Sequence, residues 1–175
     1  CLDLDQIQKL LDTPGDAGFP PQLSFDGSEN VAKTEVAYPT PHRFELFGLQ
    51  TFGYKDRVVY PIAIVPERVG EAVKLRGHLR YLVCAEVCIP YEADLALDIP
   101  AGQALPSDQA PLVNRFRALV PADGRAAGIT LGSATIEPGD KLVVKAVSAG
   151  ESFAAPDLIV EGPGSLNFDK PTVTL

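Results

Sequence analysis

Tryptophan and methionine are absent from the 175 residues, and histidine occurs only twice, as His42 and His78. Any metal site would therefore have to draw on those two imidazoles or on the cysteines. No run approaches the roughly 20 apolar residues that a membrane helix needs. Nothing resembles a signal peptide, so the sequence is expected to be a mature form or a fragment. No internal repeat is evident. Basic residues are outnumbered, with Lys+Arg 15 against Asp+Glu 23 and a formal net charge of −8. An acidic surface repels nucleic-acid phosphates and anionic lipid, so neither is an expected partner. Cysteine is scarce as well, at three residues.

What the chain does have is glycine and proline, 15 and 16 residues, spread along its length. That spread predicts many short elements joined by turns rather than long helices. Residues 1–12, "CLDLDQIQKLLD", are weakly helical, and a loop rich in proline and glycine follows, with a turn signal at Asp26-Gly27. From Val31 the texture becomes strand-like, with breaks expected at Pro39 and Pro41, since proline cannot donate to a sheet ladder. Arg57–Glu67 reads as a strand interrupted by Pro61.

Two later stretches alternate with period two. Val73, Leu75, Leu79 and Tyr81 stand against Lys74, Arg76, His78 and Arg80, with Gly77 as a break; Leu95, Leu97 and Ile99 stand against Asp94, Ala96 and Asp98. Such alternation predicts one buried and one solvated face. Short strands with turn signals every dozen residues or so predict an all-β antiparallel sandwich.

A first β domain is expected over residues 1–103. A linker over 104–124 carries a short helix at Leu112–Pro121. A second, smaller β unit is expected over 125–175, with two strands around the Pro138-Gly139-Asp140 turn. Further strands are expected in "DLIVEG" and "LNFDKPTVTL", and the sequence stops there without a closing element.

Two cysteines, Cys84 and Cys88, lie in "YLVCAEVCIPYEADLALDIPAG". As a hairpin with a three-residue loop, the segment sets the two cysteines opposite each other at roughly 4.5–5.5 Å between Cα atoms, within the approximate range that a disulfide spans. Closing so short a loop contributes about 2 kcal/mol, against about 4.7 kcal/mol for a bridge over a hundred residues. A staple for stability would join distant strands, so the spacing favours redox chemistry without excluding a structural bridge. Two thiolates could also grip Cu(I) or Zn, with His42 or His78, although a histidine on an alternating strand is more often a solvated side chain. Two unpaired buried thiols are the least favoured alternative, because turn positions are rarely buried.

The "LVC-x3-CIP" core and the alternating strand after it resemble the periplasmic N-terminal domain of the thiol:disulfide interchange protein DsbD, and more closely its ScsB-type relatives. "TPGDAGFPPQLSFDGSENV" (Thr13–Val31) and "FGYKDRVVYPIAI" (Phe52–Ile64) are similar to two further stretches of that family, so the resemblance covers most of residues 13–102. It implies an immunoglobulin-like fold, a periplasmic location and protein-disulfide reductase activity without a cofactor or a bound metal. It implies a relay in which a membrane domain passes electrons to a thioredoxin-like domain of the same polypeptide, then to this domain, then to periplasmic partners such as thioredoxin-like or disulfide isomerase proteins. Neither the membrane part nor the thioredoxin-like part is in this sequence, so the chain resembles an excised N-terminal piece, with the membrane reached only through the missing part.

By the same resemblance Cys88 bonds partner proteins and Cys84 resolves the mixed disulfide. Glu86 opposes thiolate formation if it acts at all, and its plainer reading is a solvated hairpin tip. The family covers its cysteines with a loop carrying an aromatic ring. Counting back from Tyr54-Lys55-Asp56-Arg57 puts Phe47 there, with Phe44 and Phe52 as rivals, although all three can simply be core. Shielding matters because a reduced, exposed pair in an oxidising compartment would be reoxidised by the wrong partner. Tyr91 is expected on the partner surface. ScsB-type proteins are associated with copper tolerance, which keeps a Cu(I)-binding module as an alternative beside a binding module with a purely structural disulfide. The sequence before Thr13 departs from the family, and Cys1 is assigned no role.

Overall fold

A computed structural model of the protein describes residues 21–46, 48–103, 105–150, 152–160 and 168–175. Cys1, Phe47 and the opening of the family-like segment at Thr13 lie outside the described residues.

The architecture is all-β and immunoglobulin-like, built from small antiparallel sheets. Strand β6 (Val73–Cys84) pairs along its whole length with β7 (Cys88–Ile99), and β1 (Gln22–Ser24) pairs with β6 on its other edge. Strand β2 (Lys33–Val36) pairs with β5 (Ile62–Val65), β3 (His42–Leu46) with β4 (Leu49–Gly53), and β8 (Ile129–Glu137) with β9 (Lys141–Ser148).

Local chemistry explains most boundaries. Gly27 sits at φ +82° in the Asp26-Gly27 turn, a conformation that costs a residue without Cβ little. The break at Pro39 and Pro41 falls between β2 and β3, as expected. The Arg57–Glu67 stretch contributes only Ile62–Val65 to a ladder, because Pro61 ends donation on that side.

Gly77 corrects one expectation. It does not break the strand, since β6 runs through it in unbroken register opposite Leu95. A Cβ built there would meet Leu95 at 3.6 Å and Leu23 and Phe25 at 3.7 Å. The missing side chain leaves room for its neighbours to close over the strand.

The alternation along β6 and β7 is real, but burial is uneven. Val73 is buried, whereas Leu95, Leu97 and Ile99 on β7 stay exposed. The two-layer packing is fastened elsewhere by polar groups. Asn30, in the left-handed region at φ +57° and almost wholly buried, donates through Nδ2 to the carbonyls of Arg68 and Ala72, both at 3.1 Å. Its Oδ1 accepts from the Arg68 N–H at 2.7 Å. Each polar atom of this buried amide therefore has a partner. Tyr38, Tyr54 and Tyr60 pack edge to face. Burial pushes the Tyr60 phenol well up, with Tyr54 and Tyr38 adding to it, and the Tyr54 hydroxyl donates to the Pro39 carbonyl at 2.6 Å.

Helix α1 spans Ala110–Arg117, two residues earlier than the pattern predicts and shorter. Pro111 fits its first turn, where a missing N–H costs nothing, and Arg115 and Arg117 sit at the negative end of the dipole. The Leu119 N–H bonds back to Phe116, tightening the chain into a final turn before Pro121. The Leu119 carbonyl accepts from both the N–H and the hydroxyl of Thr40, tying the helix exit to the loop between β2 and β3.

Beyond residue 124, the strands around the Pro138–Asp140 turn form as expected. The described parts of the last two strand-like runs, residues 157–160 and 168–175, carry no strand. Their propensity finds no ladder partner, and strand propensity without pairing is weak. Their polar atoms turn instead to the β3–β4 hairpin. The Phe168 carbonyl accepts from Gln50 Nε2 at 3.1 Å, and the Leu158 carbonyl accepts from Arg43 at 2.9 Å.

Candidate functional site

The β6–β7 hairpin is long, twelve residues a side, and its turn is Ala85-Glu86-Val87. A contact from the Ala85 N–H to the Val87 carbonyl, 3.2 Å, closes the turn. Cys84 and Cys88 are the last pair of the ladder and are joined in a disulfide, with 4.1 Å between Cα atoms. That is somewhat closer than an open hairpin end predicts. Cys84 is exposed, Cys88 is half-buried, and the three turn residues are all exposed. Glu86 therefore stands as the solvated tip its plainer reading described.

Register decides what surrounds the sulfurs. With period-two alternation and no bulge, Cys84 and Cys88 share a face with Leu82 and Pro90, then Arg80 and Glu92, then His78 and Asp94. This face is a ladder of ion pairs. Arg80 meets Glu92 at 2.9 Å, His78 Nδ1 meets Asp94 at 2.7 Å, and Arg76 meets Asp98 at 2.8 Å. All are largely exposed, so each contributes little to stability. His78 is thus on the cysteine face but some rungs away, with its ring engaged by Asp94. Among the described residues no group of three or more His, Cys, Asp or Glu side chains gathers to hold a metal.

The opposite face at the same end is apolar. Tyr81 and Tyr91 stack across the strands with ring centres 5.8 Å apart, and Val83, Val87, Ile89 and Tyr91 remain exposed around them. Tyr91 therefore lies beside the disulfide end, on the reverse face from the sulfurs.

The β3–β4 hairpin carries the other predicted positions. Its tip is the turn between Leu46 and Leu49, with Gly48 at φ +77°. Phe47 lies outside the described residues. Its rivals are occupied within the hairpin: Phe44 stands edge-on to His42 at 6.5 Å, and Phe52 lies under the Arg43 guanidinium at 4.9 Å. Arg43 and Gln50 reach instead to Asp157 and to the Phe168 carbonyl, contacts that the sequence does not single out. Nothing in the sequence signals a contact between residues so far apart.

An immunoglobulin-like β domain with a bonded cysteine pair at an exposed hairpin end is the build of a thiol–disulfide interchange module. Residues 14–100 match the family model of the thiol:disulfide interchange protein DsbD, N-terminal, and this chain belongs to that family through that domain. The structure is similar to the N-terminal periplasmic domain of ScsB from Proteus mirabilis, with a TM-score of 0.50 and 23% identity, covering 78% of this chain and 67% of that one. That likeness carries the fold, and it extends over more of the chain than the family model does. No curated protein matches the sequence. No helix among the described residues is long and apolar enough to cross a membrane.

Proposed function

We propose that this domain is a periplasmic disulfide reductase module, which takes electrons from a membrane-linked thioredoxin-like domain and passes them to periplasmic thioredoxin-like proteins. The observation that carries the reading is the bonded Cys84–Cys88 pair at the exposed end of a hairpin whose ladder runs on for eleven further pairs.

The chemistry balances as two exchanges. A thiolate of the electron donor attacks Cys88 Sγ, breaking the Cys84–Cys88 bond, and Cys84 leaves as a thiolate and takes a proton. The donor's second thiol then attacks its own partnered sulfur, leaving the donor oxidised and Cys88 reduced. In the second half, the Cys88 thiolate attacks a substrate disulfide and expels one substrate thiolate. Cys84 attacks Cys88 Sγ, re-forms the internal disulfide and releases the substrate with both thiols reduced. Two electrons and two protons pass in all, and no cofactor takes part.

Exposure alone favours the open Cys84 as the attacked sulfur; family likeness favours Cys88 for the partner bond. A trapping experiment decides between them. Cys84→Ser is expected to accumulate a mixed disulfide with a thioredoxin-like partner, and Cys88→Ser to accumulate none. The reverse pattern would transfer the partner role to Cys84, and equal failure of both would remove the assignment.

In the same reading the β3–β4 turn, with Phe47, shields the sulfurs, and the apolar surface of Tyr91, Val83 and Ile89 receives part of the partner. A purely structural disulfide is the competing reading, and the reduction potential separates the two. A potential below about −300 mV marks a structural bridge, and a value in the thioredoxin-like range marks a relay.

A further inference from the structure

Strand β7 has β6 on one side and no strand on the other among the described residues. The partners of β6 show which β7 groups that leaves open. Lys74 exchanges both of its backbone hydrogen bonds with Glu29, at 2.8 and 3.2 Å. The Ser28 hydroxyl accepts from the Arg76 N–H at 3.0 Å and donates to the Arg76 carbonyl at 3.2 Å. Lys74 and Arg76 therefore turn their backbone toward the β1 side, and the alternate residues Leu75 and Gly77 turn theirs toward β7. The register is unbroken, so Ala93, Leu95, Leu97 and Ile99 bond to β6. Glu92, Asp94, Ala96 and Asp98 point their N–H and carbonyl groups the other way, to the open edge.

Sheets usually blunt such an edge with a short strand, a bulge, a lysine or a proline, or by covering it. β7 is twelve residues long, with no bulge and no basic residue, and its one proline, Pro90, lies at the cysteine end. Leu95, Leu97 and Ile99 stay exposed on one face of the edge. The other face carries an acidic row, Glu92, Asp94 and Asp98, with Asp94 90% exposed. These carboxylates meet Arg80, His78 and Arg76 on the β6 side, and a carboxylate accepts more hydrogen bonds than one such contact uses. An antiparallel β7 of a second copy would set acidic row beside acidic row, which is destabilising. A strand with basic side chains on the acidic face and apolar ones on the other matches the edge in backbone, charge and apolar surface together.

We propose that the outer edge of β7 over residues 92–98 is a strand-addition site for an extended segment of a partner protein, with lysine or arginine at alternate positions and apolar residues between them. Main-chain hydrogen bonds supply the affinity, and the acidic row selects the segment and fixes which of its faces lies where. The site does not use the sulfurs, so it stands or falls apart from the redox reading.

The test uses the whole 175-residue chain and a blocked peptide of alternating lysine and valine, long enough to span residues 92–98. In the free protein, the amides of Ala93, Leu95 and Leu97 are expected to be protected from exchange at least about tenfold better than those of Asp94, Ala96 and Asp98. Saturating peptide is expected to raise the second set by about tenfold or more and to leave the first unchanged. A peptide with glutamate in place of lysine is expected not to bind. The lysine–valine peptide N-methylated at every residue has no N–H to give, and is expected to bind about tenfold more weakly or worse. Ala96→Pro removes only an outward N–H and is expected to abolish binding with the β6–β7 ladder kept. Asp94→Asn combined with Asp98→Asn is expected to weaken binding by roughly fivefold, the factor for two exposed ion pairs.

Equal protection of both sets in the free chain means that the edge is already covered, and overturns the site. Protection that the peptide leaves unchanged overturns it too, and makes the acidic row a guard against aggregation only. Binding that survives N-methylation, or that a peptide with its lysines and valines in separate blocks reproduces, is plain charge attraction and overturns strand addition. Self-association without peptide that protects Asp94, Ala96 and Asp98 assigns the edge to a second copy and overturns the partner segment.

Discussion

The β6–β7 and β3–β4 hairpins are both antiparallel pairs with short turns, yet they are held in opposite ways. The first is twelve residues a side, gains a third strand from β1, and carries its charges as exposed pairs along one face. Eleven pairs of its ladder lie beyond the bonded cysteines. The second is five residues a side with no third strand among the described residues, and its one nearly buried charge reaches to Asp157. It is tied to Asp157, Leu158 and Phe168, chain far beyond its own strands. The same secondary structure is thus held from within in one place and from outside in the other.

That contrast can be broken most forcefully at Gly77. A Cβ there would be in ordinary contact with Leu95, Leu23 and Phe25, so it is the two further methyls of a valine that would crowd the junction of β6 with β1 and β7. Gly77→Val is expected to cost about 1–3 kcal/mol, the usual range for overpacking, read as a lower midpoint in urea unfolding. A neutral result would mean that the three-stranded sheet is not the stiff element of the pair.

Reducing the disulfide probes the other side of the comparison. The bond closes a very short loop, so its loss is expected to cost no more than about 2 kcal/mol, with the far-ultraviolet circular dichroism of the sheet retained. Loss of the β6–β7 ladder on reduction would make the bond structural and would weaken the relay.

The smallest expected effect lies in the response of the Arg43–Asp157 pair to acid. The hydrogen bonds from Arg43 hold the Asp157 carboxyl below its ordinary value. A group whose folded value is depressed contributes stability that is present above its unfolded value, roughly 3.9, and is lost as the pH falls through the folded one. Asp157 is 43% exposed, so after solvent screening the contribution stays below about 1 kcal/mol. The protection factor of the β3–β4 hairpin amides, which removes the pH dependence of intrinsic exchange, is expected to be flat from neutral pH to near 5 and to fall below roughly 4, in the parent but not in Asp157→Asn. Protection that falls equally in both would place the acid response elsewhere.

The legibility of the sequence followed the range of each interaction. The cysteine hairpin was readable because everything that forms it is local: alternation sets the faces, three residues make the turn, and the spacing sets Cys84 against Cys88. The turns at Asp26-Gly27 and Pro138–Asp140 were readable for the same reason. Gly77 misled, because a glycine in a strand marks either a break or a place where neighbours come close, and only the partner strands decide which. The strand-like runs near the C-terminus misled in their described parts, because β propensity describes a residue's fit to a ladder, and no ladder meets those residues.

The sequence by itself determined an all-β chain with a redox-capable pair at a hairpin end, since period-two patterning and short-loop geometry act over a few residues. Only the tertiary structure decided that the sulfurs share a face with a charged ladder, that the tyrosines stack on the reverse face, and that Arg43 holds chain 114 positions away. A guanidinium can be satisfied by any carboxylate the fold brings near, so its choice of partner is written in the packing and not in the neighbouring residues.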